Sequence, residues 1–117
     1  MSLSDQSLAI VYHSPYGHTA KVADFIAQGA RKVGVQVHLM DIEHLDWEAL
    51  DAAQAIVFGC PTYMGNLTSG LKLFMEQSSK RWLARSWQGK LAAGFTNGGG
   101  LSGDKLAVLQ QINLFAM

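Results

Sequence analysis

The chain has 117 residues, 49% of them hydrophobic, with nine acidic and nine basic side chains and a formal net charge of zero. That length and apolar content make one small packed domain and exclude a disordered chain. The neutral balance excludes a dedicated nucleic-acid binder or a polybasic membrane-surface binder, whose affinity rests on clustered Lys and Arg. Cys60 is the only cysteine, so no internal disulfide and no cysteine-based metal site is expected, and a lone free thiol fits a reducing cytoplasm. No apolar run approaches the roughly 20 residues of a membrane span.

Leu8–Tyr12 is a continuous apolar run, as expected of a central parallel strand buried on both faces. From Thr19 to Val33 the apolar residues Val22, Phe25, Ile26, Ala30 and Val33 recur at helical spacing, and Gly34 ends that helix. Val35, Val37 and Leu39 alternate with Gln36, His38 and Met40, a second strand with one less buried face. Asp46 caps a short helix from Trp47 to Ala53, and Ala55–Gly59 is a third apolar strand. Ser69 is expected to cap a helix to about Ser79, with Leu71, Phe74, Met75 and Ser78 on one face. Leu91–Thr96 is a fourth strand, and Gly98–Gly103 is a glycine-rich loop. The helix from Asp104 to Phe115 turns Leu106, Leu109, Ile112 and Phe115 inward.

Strand and helix alternate four times, which predicts an α/β fold: a doubly wound parallel sheet with helices on both faces. Ligands of such sheets bind at the C-terminal ends of the strands. Three loops emerge there: Ser14–Thr19, Pro61–Thr68 and Thr96–Asp104. Each contains Gly together with hydroxyl or amide side chains. The first loop runs from a buried strand into a helix N-terminus, where unpaired N–H groups and the positive dipole end favour an anion. It lacks the Gly-x-Gly-x-x-Gly of dinucleotide folds and the Gly-Lys-Ser/Thr of mononucleotide phosphate loops. No Lys or Arg lies between Val11 and Ala20. A nest of N–H groups with the Ser14 and Thr19 hydroxyls suits a terminal dianionic phosphate. In the second loop Tyr63 and Met64 offer surface to a planar ring, with Gly65 and Asn66 at its edge. The third loop would wrap the other side.

These stretches resemble the flavodoxin-like NAD(P)H:quinone oxidoreductases of the tryptophan-repressor-binding-protein (WrbA) type. The likeness rests on Ser14-Pro-Tyr-Gly-His-Thr19, on Gly59-Cys-Pro-Thr-Tyr-Met-Gly-Asn66, and on the span from Phe74 through Trp82 to Gly89-Lys-Leu-Ala92. The resemblance implies FMN as cofactor, NADH or NADPH as electron donor, a quinone as substrate, and a homo-oligomer, dimer or tetramer. It implies that Ser14, Pro15, Tyr16, Gly17, His18 and Thr19 hold the FMN phosphate, and that Thr62, Tyr63 and Met64 line the isoalloxazine beside Gly65 and Asn66. Asn97, Gly98, Gly99, Gly100, Leu101 and Ser102 match the third flavin loop. Tyr16 would lie near the nicotinamide cofactor and Trp82 near the substrate.

The chain departs from that pattern in a short segment, Asp41–Gln54, between the second and third strands, and in its glycine-rich third loop. It also stops at Met117, before the family's fifth strand and last helix. That is expected to expose a sheet edge, as in a truncated product. No acid or base residue is required, because the flavin carries the chemistry. No histidine pair has convincing metal-ligand spacing. His13, His38 and His44 are read as structural or exposed, Cys60 and Trp47 as packing, and Lys80, Arg81 and Arg85 as a solvated basic patch. A one-electron carrier of the flavodoxin type is the alternative. Such carriers are usually strongly acidic, unlike this chain. A regulator contacting a DNA-binding protein has neither a basic stripe nor a recognition helix behind it.

Overall fold

The computed structural model describes residues 5–63, 66–98 and 105–116, with the backbone alone at Trp82. The elements run β1 (Ser7–Tyr12), α1 (His18–Lys32), β2 (Gln36–Asp41), α2 (Trp47–Ala52), β3 (Ala55–Pro61), α3 (Ser69–Gln77), α4 (Ser79–Ala84), β4 (Leu91–Asn97) and α5 (Lys105–Ala116). The strands form one parallel sheet in the order β2-β1-β3-β4. This is the doubly wound α/β arrangement expected from the alternation, in the flavodoxin-like form that the resemblance implies.

Consecutive side chains of β1 point to opposite faces, and both faces are dry. Ala9 and Val11 belong to a core shared with α2, α3 and α5, in which Leu50, Leu71, Phe74 and Ile112 are buried. Ile10 packs on the other face with Ala23 and Ala27 of α1. Helices therefore cover both faces, so the apolar runs of β1 and β3 need no polar alternation.

The face of α1 differs from the periodicity. Phe25 is 71% exposed and Val33 60%, whereas Thr19, Ala23 and Ala27 are buried. Small side chains let the helix backbone lie close on the sheet, and that approach turns the larger Phe25 outward. The α3 cap is Thr68 rather than Ser69, and its side chain accepts the Leu71 N–H. Leu106 and Leu109 of α5 face outward, while Val108 and Ile112 are buried. The reason is Gly94 of β4: a Cβ there would stand 2.6 Å from Ile112 Cγ2, so the bare glycine seats that side of the helix. Phe115 is half-buried and meets Phe58 edge-on at 5.3 Å. Among the described residues β4 pairs only with β3, and Leu91–Gly94 are exposed.

Candidate functional site

Tyr12 stands opposite Gly59, and Pro61 opposite Asn97. This register makes β1, β3 and β4 end together, and all three loops open at that edge. Between them lies a pocket of about 320 Å³, bordered by Ser14, Pro15, Tyr16, His18, Thr19, Pro61, Thr62, Tyr63, Asn97 and Gly98. Loops separated by as many as 78 residues in sequence are thus brought into one place.

The first loop turns into α1 at Gly17, whose φ of 90° lies in the left-handed region that glycine adopts without strain. Among the described residues the N–H groups of Tyr16, Gly17, His18 and Thr19 have no acceptor. The next N–H, of Ala20, is taken by Ser14 Oγ at 2.9 Å. Ser14 accepts in that bond, so its hydroxyl proton remains for a ligand. Thr19 is used differently. It is 1% exposed, and its hydroxyl donates to Asn97 Oδ1 at 2.7 Å. It braces the first loop against the third, and its side-chain proton is not available to an anion. The Asn97 carboxamide N–H groups have no acceptor among the described residues.

Thr96 donates its hydroxyl proton to the Cys60 carbonyl at 2.7 Å. The 2.8 Å contact between Thr62 Oγ1 and Thr96 Oγ1 must then use the Thr62 proton. Thr62 therefore offers a ligand a lone pair and no donor. The Thr62 N–H donates to the Asn97 carbonyl at 2.8 Å, tying the second loop to the third. Tyr63 and Asn66 exchange two backbone hydrogen bonds of 3.0 and 2.9 Å. Asn66 turns its Oδ1 to the Leu67 N–H. The rings of Tyr16 and Tyr63 lie 6.5 Å apart, tilted by 58°, and Tyr16 is 80% exposed. Together they form an angled aromatic lip at the pocket mouth.

Behind the pocket, Thr68 Oγ1 lies 2.7 Å from His13 Nδ1 while capping α3. A Cβ on Gly70 would come within 2.8 Å of the His13 ring. His13 is thus a structural strut, as expected. Burial pushes the Cys60 thiol above its usual pKa, against opposing hydrogen bonds from the Thr68 backbone and side chain. The thiol is kept protonated and packed.

Met64, Gly65, Gly99, Gly100, Leu101, Ser102 and the Trp82 side chain, all expected at the site, lie outside the described residues. One residue escaped the sequence reading. Lys105 opens α5 with its Cε 3.5 Å from where a Gly98 Cβ would stand, so a cation reaches the third loop. Its position directly after the glycine-rich loop was the available signal. Among the described residues no group of three or more His, Cys, Asp or Glu is placed to hold a metal, and no helix is long and apolar enough to cross a membrane.

The flavodoxin domain model matches residues 9–110. The chain belongs to the flavodoxin domain family. It is 42% identical over 109 residues to flavodoxin FldP of Pseudomonas aeruginosa, covering 92% of this chain and 56% of that protein. It is 30% identical over 121 residues to an NAD(P)H dehydrogenase (quinone) of Paracoccus denitrificans, covering 86% of this chain and 58% of the relative. A crystal structure of a WrbA-like flavodoxin from Agrobacterium tumefaciens superposes with a TM-score of 0.86 at 44% identity, covering 95% of this chain and 71% of that one. The chain spans about three-fifths of the length of these curated relatives. Its fold is the FMN-binding fold of the family.

Proposed function

We propose that the pocket holds FMN and that the protein is an oxidoreductase passing two electrons from NADH or NADPH to a quinone. The observation that carries this reading is the row of four N–H groups, Tyr16 to Thr19, that have no acceptor among the described residues, beside the Ser14 hydroxyl, which accepts from Ala20 and keeps its proton. Such donors suit a terminal phosphate at a helix N-terminus. Thr62, Asn97 and the Tyr16–Tyr63 lip would then face the flavin ring. Bound there, FMN would supply the hydride and electron chemistry, and the chain would supply binding, orientation and exclusion of water. Exposed Tyr16 gives a nicotinamide or quinone ring a surface to lie on. His18, also at the rim, lines the same opening.

A second reading has a specific observation in its favour. The flavodoxins of Pseudomonas aeruginosa and Clostridium saccharobutylicum are among the relatives, at 42% and 32% identity. A one-electron carrier would use the same pocket and no substrate of its own. The zero net charge favours the enzyme, since carriers steer to basic partners with an acidic surface. Steady-state assay of the FMN-loaded protein separates the two. Quinone-dependent oxidation of NADH or NADPH is expected. Its absence, with reduction in two separate one-electron steps, would establish the carrier. Failure to retain FMN at all would remove both readings.

A further inference from the structure

Among the described residues that border the loop pocket there is no Asp, Glu, Lys or Arg. His18 is the one imidazole among them, and it is exposed. The wall of the pocket is therefore close to neutral, yet a full charge stands against it. Lys105, half-buried at the start of α5, brings its Cε to 3.5 Å and its Nζ to 3.9 Å from where a Gly98 Cβ would stand. Thr62 Cβ lies 3.6 Å from the same point. Gly98 and Thr62 both border the pocket. The ammonium thus reaches the part of the wall where the second and third loops meet.

Gly98 is not a glycine that the backbone needs. Among the described residues Gly17, Gly34 and Gly89 take a positive φ, and Gly98 does not. Nor does close packing demand it. A Cβ on Gly59, Gly70 or Gly94 would stand 2.1–2.8 Å from a neighbour, whereas one on Gly98 would make ordinary contacts of 3.5–3.9 Å. What the bare position leaves is space on the pocket wall beside the Lys105 ammonium.

The helix does not call for the lysine either. The positive end of the dipole at a helix N-terminus favours Asp or Glu and disfavours a cation. α5 has no acidic residue in its first turn and opens on Lys105. A residue set against its local preference, beside a neutral pocket, points to a use outside the helix.

We infer that Lys105 supplies the positive charge of the flavin site and makes the pocket hold reduced flavin more tightly than oxidised flavin. The inference rests on the reading that the pocket holds FMN. A hydride from NADH or NADPH carries two electrons and one proton and leaves NAD+ or NADP+ behind, so the ring that accepts it gains one negative charge. The Thr62 hydroxyl cannot meet that charge, because its proton is spent on Thr96. A fixed ammonium at the same wall can, and it raises the reduction potential by doing so. Lys105 is thus a tuning residue, set beside the wall and not in the reaction itself.

The test uses the whole protein loaded with FMN or with riboflavin. It reads the two-electron midpoint potential against a reference dye at neutral pH, and the Kd of each oxidised flavin by fluorescence. Lys105→Met should lower the potential of both bound flavins by about 30 mV, a roughly tenfold loss of preference for the reduced form. Oxidised riboflavin should bind that variant within about twofold of the parent. Lys105→Arg, which keeps the charge, should keep the parent's potential. A lysine with a structural role alone, or one neutralised by a carboxylate, would leave both potentials unmoved in Lys105→Met, and that result would overturn the proposal. So would an equal fall in Lys105→Arg, which would trace the shift to packing and not to charge. A loss of affinity confined to oxidised FMN, with both potentials unchanged, would assign the ammonium to the phosphate and overturn it too. If the parent retains neither flavin, the reading of the pocket falls and the proposal with it. If the parent binds both and Lys105 leaves the potential alone, the proposal falls by itself.

Discussion

Ser14 and Thr19 both look like phosphate ligands, and the hydrogen bonds assign them different work. Ser14 accepts the Ala20 N–H and keeps its own proton, whereas Thr19 spends its proton on Asn97. Ser14→Ala should therefore remove one charge-assisted bond to the FMN phosphate, about 1.5–3 kcal/mol. At 1.4 kcal/mol per decade that is roughly a 10- to 150-fold loss of FMN affinity. Riboflavin, which has no phosphate, should bind Ser14→Ala nearly as well as the parent. The substitution also removes a helix-end bond worth about 1 kcal/mol of stability. Thr19→Val keeps the shape and leaves Asn97 Oδ1 without its donor, at a cost of about 1–2 kcal/mol in stability. By loosening the first loop from the third it should weaken FMN and riboflavin by the same factor. Fluorescence titration of both flavins against the two variants, with thermal melts alongside, measures each quantity. Equal losses of FMN and riboflavin in Ser14→Ala, or a loss confined to FMN in Thr19→Val, would refute this division of labour.

Thr68→Val should cost about 2–3 kcal/mol, combining a lost cap with unpaired buried groups at Leu71 N–H and His13 Nδ1. A fall in Tm of roughly 10 °C is expected, and one below about 3 °C would contradict the strut. Cys60 should resist thiol reagents at pH 7 until the chain unfolds, since burial raises its pKa; rapid labelling of the native protein would show otherwise. Burial pushes Asp51 up, but hydrogen bonds from Arg81 and Trp87, with the charges of Arg81 and Lys90, outweigh it and hold Asp51 below its ordinary pKa. Its folded pKa thus lies below its unfolded one, so the unfolded chain binds more protons in that range. Its stabilisation is present above about pH 4 and is lost as pH falls through the folded value. Asp51→Asn should flatten that acid limb in urea melts. An unchanged slope would mean the contacts of this exposed carboxylate contribute nothing.

The central strands could be read directly because burial on both faces demands unbroken apolar runs, and Leu8–Tyr12 and Ala55–Gly59 are such runs. The helix faces could not be read so simply. In α1 hydrophobicity points to Phe25, but close approach to β1 selects Ala23 and Ala27, a choice governed by size. In α5 two apolar stripes compete, and only the seat of Ile112 on Gly94 decides between them. The strand-to-helix turn at Ser14–Thr19 was legible because the apolar run of β1 passes directly into the helical spacing of α1. The Thr19–Asn97 bond spans 78 residues and has no local signal, whereas Lys105 is signalled only by its place directly after the glycine-rich loop. The basic patch at Lys80, Arg81 and Arg85 was read as solvated. For Arg81 this is corrected by Asp51, which joins α2 to the turn before β4.

The loop pocket and the cleft rimmed by Arg81 and Lys90 occupy opposite ends of the same strands. Pro61 borders the first and Phe58 the second, both on β3. At about 3.3 Å per residue, the three steps between them hold the nearest walls of the two roughly 10 Å apart. The sheet between them is buried on both faces, with Ala9, Ile10 and Val11 fully so. Substitutions at Ser14 and Asp51 share no partner, and their effects on stability should add within about 0.5 kcal/mol in the double variant. A larger departure would mean that the β3–β4 half of the sheet moves as a unit. Gly59 ties the two strands most closely, because Phe95 of β4 fills the space in which a Cβ would stand, only 2.1 Å from the ring.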